Sequence, residues 1–108
     1  MAIQLEDGEV LLKEGSANHF KGMEAVGGKM LLTNRRLIFR SHSFNVQTHE
    51  ETYWLADITS VRTRNTLRIV PNGIAVILNN SREERFVVNE RQEWIQKILR
   101  AKANHVQP

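Results

Sequence analysis

The chain has no cysteine, so disulfides, a thiolate nucleophile and cysteine-ligated zinc are excluded together. It also lacks any apolar stretch approaching the roughly 20 residues that cross a bilayer as a helix, and the opening MAIQLEDGEV is no basic leader followed by an apolar run. These absences predict a cytoplasmic chain without a transmembrane segment. Aromatics are few, 6% of residues, and are not grouped as a base-stacking platform, which argues against a nucleic-acid partner. Gly22, Gly27 and Gly28 fit neither glycine-rich nucleotide spacing, and no helical pattern follows them. His19, His42, His49 and His105 are scattered. The group His42 with His49-Glu50-Glu51 lacks a metal-ligand spacing, and Ser41 and Ser43 beside His42 have no positioned third group. No catalysis, metal or cofactor is expected.

What the sequence does contain is charge, unevenly placed. Residues 1–28 set Lys13 and Lys21 against Glu6, Asp7, Glu9, Glu14 and Glu24, which leaves −3 there and +6 in the remainder of a chain whose net charge is +3. An anionic partner would meet the later part, although a surplus of this size also serves plain solvation. The length of 108 residues suits one domain over 1–108, with a core about 8–100 and a frayed tail at 104–108.

The clearest element is GKMLLTNRRLIF, Gly28 to Phe39. Met30-Leu31-Leu32 and Arg36-Leu37-Ile38-Phe39-Arg40 are short apolar runs separated by the turn-tolerant Thr33-Asn34-Arg35, which predicts a β-hairpin with a basic tip. Before it, Glu9 to Lys13 begins a first strand, and residues 21–28 read as a glycine-punctuated connection. After it, SHSFNVQTHEE reads as a long loop, and Thr52 to Leu55 returns to strand composition. Asp57 to Arg64 alternates branched and polar residues, Leu67 to Val70 continues that strand, and Pro71-Asn72-Gly73 predicts a turn. Ile74 to Leu78, a turn at Asn79 to Arg82, and Arg85 to Val88 complete about seven strands, the pattern of a small antiparallel barrel or sandwich. The period then changes. Asn89 is placed to cap a helix with Glu90 in its first turn, Trp94, Ile95, Ile98 and Leu99 recur at helical spacing, and Arg91, Lys97, Arg100 and Lys102 line the polar face.

Seven strands and a capping helix match the architecture of the pleckstrin-homology (PH) superfamily. Gly28 to Phe39 resembles the G-x-L-x-L-T-x-x-R-L-x-F signature of the GRAM branch, and Trp54-Leu55-Ala56-Asp57-Ile58-Thr59-Ser60-Val61 is similar to the segment that follows it. The resemblance implies a PH-like seven-stranded barrel capped by its helix. It also implies a binding module for anionic lipid or for another protein. Lipid-binding members often carry a lysine in the first strand and a basic-x-arginine pair in the second. Here no such pair precedes Arg35, while Arg62 and Arg64 have that spacing in a later strand.

The candidate contacts for an anionic lipid or partner are Lys29, Arg35, Arg36, Arg40, Phe44, Arg62 and Arg64. Alternation puts Arg36 with Arg40, and Arg62 with Arg64, on common strand faces, and guanidinium groups suit phosphate. The competing role for the arginines is pairing with Glu50, Glu51, Asp57, Glu83 or Glu84. Phe44, an isolated loop aromatic, is read either as dipping into a membrane interface or as folding back on the barrel. Self-association through exposed strand edges is a further reading.

Overall fold

The computed structural model describes residues 4–22, 24–42, 49–66 and 69–105. Seven antiparallel strands, β1 (Leu11–Lys21), β2 (Glu24–Thr33), β3 (Arg36–Ser41), β4 (Glu50–Trp54), β5 (Ile58–Thr66), β6 (Val70–Leu78) and β7 (Glu83–Val88), precede one helix, α1 (Arg91–Asn104). Their order in the sheet is β4-β3-β2-β1-β7-β6-β5. The sheet curls because inward residues from both ends of that order share one core. Met30, Leu32, Leu37, Phe39 and Tyr53 of the first half meet Ile58, Val61, Ile74, Val76, Phe86 and Val88 of the second. Register follows from burial: Met30 faces Phe39 and Leu32 faces Leu37 across β2–β3 and these pairs enter the core, while Leu31 and Ile38, also buried, pair on the opposite face. The helix closes the curl with Trp94, Ile98 and Ala101, and it packs against β5, β6, β7 and the 3-10 turn Leu55–Asp57.

The expected hairpin is present, with its turn at Asn34-Arg35 between β2 and β3. Several boundaries differ from expectation. Residues 24–28 are not a connection, because they pair with β1 from Lys21↔Glu24 to Ala17↔Gly28. Gly28 is needed there for closeness: a Cβ would meet the Arg40 carbonyl oxygen at 2.2 Å and Ser41 Cα at 2.8 Å. Pro71-Asn72-Gly73 does not turn the chain. The reversal lies between Thr66 and Val70, where Ile69 N–H donates to the Thr66 carbonyl. Pairing shifts from Thr66↔Val70 to Arg64↔Gly73, so β6 carries one extra residue, and Pro71 sits in that bulge where no ladder donor is required. Val70 therefore opens β6 instead of ending β5.

At the helix, the cap is Glu90 in the left-handed region (φ 57°), not Asn89. Lys13 Nζ holds both Glu90 (3.5 Å) and Glu93 (3.2 Å) and lies 5.1 Å above the Trp94 ring, fixing the helix start against β1. Leu99 does not join the buried stripe; it is 42% exposed, and Ala101 takes the core position.

Candidate functional site

The hairpin's arginines are drawn into the fold by the acidic amino-terminal segment. Glu9 is buried, and its carboxylate accepts from Arg36 Nε (2.8 Å) and Nη2 (3.0 Å), from Thr33 Oγ1 (2.6 Å) and from Glu6 N–H (2.9 Å). Chiefly through the Arg36 hydrogen bonds, and against the opposing effect of burial, its pKa falls from 4.5 to about 2. Arg36 also lies over the Trp54 ring, 5.4 Å from the centroid. Arg35 donates to Glu6 Oε1 (3.1 Å) and to the Asp7 carbonyl (2.7 Å), and Arg40 donates to Glu50 (2.9 Å).

The remaining candidates are divided between two surfaces. Lys29, Arg36 and Arg40 lie on the outer face of β2 and β3, with Lys29 opposite Arg40. Arg62 and Arg64 lie on the outer face of β5, and β1, β7 and β6 separate the two patches in the sheet. Arg64 binds Glu83 through Nε (2.9 Å) and Nη2 (3.1 Å), and Arg85 joins the same carboxylate; the Arg64 hydrogen bond, then that of Arg85, lowers the Glu83 pKa to about 2. Arg82 pairs with Glu84. Lys29 and Arg62 are exposed and have no acidic partner among the described residues. Phe44 lies outside the described residues.

One candidate, Arg35, instead lines a pocket of about 520 Å³ at the hairpin tip, together with Leu12, Asn34, Lys97, Arg100 and His105. The pocket is assembled from three distant parts of the sequence: the start of β1, the β2–β3 turn and the last turns of α1. Asn34 locks the turn in place by accepting from Val10 N–H (2.8 Å) and donating to the Gly8 carbonyl (3.1 Å). Lys97 and Arg100 are three residues apart on α1 and therefore share a face. The other two helix cations are engaged by the fold: Arg91 reaches Asn65 Oδ1 (3.0 Å) and the Gly73 carbonyl (3.3 Å), and Lys102 donates to the Leu55 carbonyl (3.2 Å). Among the described residues neither Lys97 nor Arg100 has an acidic partner. Arg91, Lys97, Arg100 and Lys102 against Glu93 give α1 a charge of +3, equal to the net charge of the chain.

Two of the four histidines, although scattered in sequence, meet in the interior. His19 is buried between Phe86 and Phe39, its Nε2 2.8 Å from Glu84 Oε1 and its Nδ1 3.1 Å from His49 Nε2. Tyr53 donates to the same Glu84 oxygen (3.3 Å), and Lys21 Nζ is 3.3 Å from His49 Nδ1. With both rings neutral, His19 donates to the carboxylate and accepts from His49, which in turn accepts from the ammonium. Burial raises the Glu84 pKa, but His19 and Arg82 outweigh it and hold the carboxyl below its usual range; burial, then Lys21, lowers that of His49. Sequence spacing could not reveal this cluster, because its members stand on β1, β4 and β7 and immediately before β4. Among the described residues no three acidic or histidine side chains are grouped as a metal site requires, and no helix is long and apolar enough to cross a membrane.

A curled seven-stranded antiparallel sheet closed by a carboxy-terminal helix is the PH-like fold, and solved structures share it. The C-terminal domain of an unknown protein from Leishmania infantum superposes with a TM-score of 0.75 at 15% identity, over 91% of this chain and 88% of that one. The Vps36 N-terminal PH domain gives 0.73 at 16% identity, over 94% and 84%. The Slm1 PH domain, solved in complex with phosphoserine, gives 0.66 at 10% identity, over 87% and 97%. No curated protein matches the sequence. The sequence model of the GRAM domain matches residues 2–107, and the chain belongs to the GRAM domain family.

Proposed function

We propose that this chain is a non-catalytic PH-like binding module that makes a peripheral contact with anionic lipid membranes from the cytoplasmic side. The observation that carries the proposal is the position of the charge: α1 carries +3, and its Lys97 and Arg100 have no acidic partner among the described residues, while the hairpin arginines Arg35, Arg36 and Arg40 are each paired with an acid within the chain. A surface of this kind attracts an anionic leaflet by about 1 kcal/mol per basic residue. Among the residues expected at the contact, Arg35 stands beside Lys97 and Arg100 and is assigned to it; its present partner Glu6 is exposed, so that pairing is exchangeable. Lys29 and Arg62 add exposed charge elsewhere on the sheet, whereas Arg36, Arg40 and Arg64 are assigned first to holding Glu9, Glu50 and Glu83. The solved complex of the Slm1 PH domain with phosphoserine gives a precedent for anion binding on this fold.

Co-sedimentation tests the proposal. The protein should pellet with vesicles containing anionic lipid and remain in solution with zwitterionic ones; equal behaviour with both contradicts it. A protein partner is the second reading, favoured by the edge positions of β4 and β5 and by the exposed Trp54 on β4. A defined oligomer in light scattering, combined with no vesicle binding, would select a self-associating adaptor.

A further inference from the structure

We infer that the pocket between the β2–β3 turn and the end of α1 is a headgroup site, which takes the phosphate of an anionic lipid while the start of β1 dips into the bilayer surface. The inference rests on the membrane reading above and adds the place, the orientation and the chemistry of recognition. Among the described residues Lys97 and Arg100 are the two helix cations without an acidic partner, and they converge with His105 and with Arg35, which is paired to the exposed Glu6, on one concavity. Among the described residues no acidic side chain lines it. A planar guanidinium and a flexible ammonium facing the same space suit the oxygens of a phosphate, which accept several charge-assisted hydrogen bonds at once. A volume of about 520 Å³ suits a single small headgroup.

The second observation is the apolar rim. Val10, Leu11 and Leu12 are exposed by 55%, 40% and 42%, three consecutive large apolar residues, and Leu12 itself lines the pocket. Their exposure has a structural cause. Pairing between β1 and β2 shifts from Leu11↔Thr33 to Lys13↔Leu32, so Leu12 is an extra residue, and the bulge breaks the alternation that would have buried one of the two leucines. Asn34, which accepts from Val10 N–H, ties this segment to the turn carrying Arg35. Apolar side chains beside a cluster of cations form the arrangement that binds an interface in both its apolar and its anionic layers. The hairpin tip and the carboxy-terminal end of α1 therefore face the membrane.

The test uses the full chain and two double variants, Lys97→Ala with Arg100→Ala and Lys29→Ala with Arg62→Ala, each checked by thermal melting. Vesicles of zwitterionic lipid with one-fifth phosphatidic acid are the lipid probe, and inorganic phosphate is the soluble one. The expected result is binding by the wild type, about 30-fold weaker for Lys97→Ala/Arg100→Ala, from roughly tenfold per 1.4 kcal/mol at about 1 kcal/mol per cation, and less than fivefold weaker for Lys29→Ala/Arg62→Ala. Equal loss in both variants, or no loss in the first, overturns the site while leaving the membrane reading intact. No vesicle binding by the wild type overturns the membrane reading itself. Millimolar inorganic phosphate should shift the amide resonances around Lys97 and Arg100 without matching vesicle affinity; if phosphate alone competes the vesicles away completely, the pocket serves a soluble phosphate and the lipid source is refuted. Replacing Leu11 and Leu12 by serine should weaken vesicle binding and leave the phosphate shifts unchanged; unchanged vesicle binding refutes the apolar rim.

Discussion

Replacing Glu9 by glutamine removes one charge and leaves the side chain almost the same shape, so its effect isolates the electrostatics at the root of the hairpin. Four donors converge on the Glu9 carboxylate, from Arg36 twice, Thr33 and Glu6. An amide must turn its own N–H₂ toward some of them. The fall of the Glu9 pKa from 4.5 to about 2 corresponds to a preference for the charged form of about 3 kcal/mol in the folded state. Loss of one member of a buried ion pair gives a similar figure, about 3–5 kcal/mol. The expected result is a loss of about 3 kcal/mol in urea unfolding at pH 7, or about 12–24 °C in Tm for a domain of this size. The pH dependence is fixed by the sign of the shift. Because the folded pKa lies below the unfolded one, the Glu9 contribution is complete above pH 4.5 and is lost as pH falls from there through about 2. The wild type should therefore approach Glu9→Gln in stability as acid is added. A variant within 1 kcal/mol of wild type at pH 7, or a gap that does not narrow in acid, would refute the role given to this pair.

Glu83→Gln makes the contrasting case: its carboxyl is held equally low, but Arg64 and Arg85 stand at an exposed surface, so urea unfolding should show a cost under about 1 kcal/mol. Trp94 on α1 is fully buried against the sheet, and Trp94→Ala should cost about 3–5 kcal/mol; an unchanged melting midpoint contradicts its placement. His49 faces His19, Lys21, Glu51 and Glu84, and burial with the Lys21 charge holds its pKa below 6.5. Its neutral form is the folded form, so that contribution is complete above pH 6.5 and declines as pH falls below it; an NMR titration midpoint at or above 6.5 would contradict this.

The fold was legible wherever side-chain period and burial agree. Met30, Leu32, Leu37 and Phe39 announce the hairpin because one face of each strand is apolar, and Trp94 with Ile98 announces the helix because its core stripe is apolar. Residues 24–28 escaped because glycine there reports a close backbone approach, which in sequence looks like turn chemistry. Pro71 and Gly73 escaped for a related reason, since a bulge uses the residue types of a turn. The candidate site was less legible. Arg36 is a strong feature of the sequence, but its partner Glu9 is 27 residues away, and nothing local says that the guanidinium is already engaged. Lys97 and Arg100 read as an ordinary polar helix face until Arg35 and Leu12 are placed opposite them.

The most direct test of the membrane contact is its salt dependence. Binding of the intact chain to anionic vesicles should weaken steeply between 50 and 500 mM salt, on the scale set by a screening length of about 10 Å at 0.1 M. Vesicle binding that does not change over this range, or binding that is equal on zwitterionic vesicles, would contradict a contact made through the cations of α1.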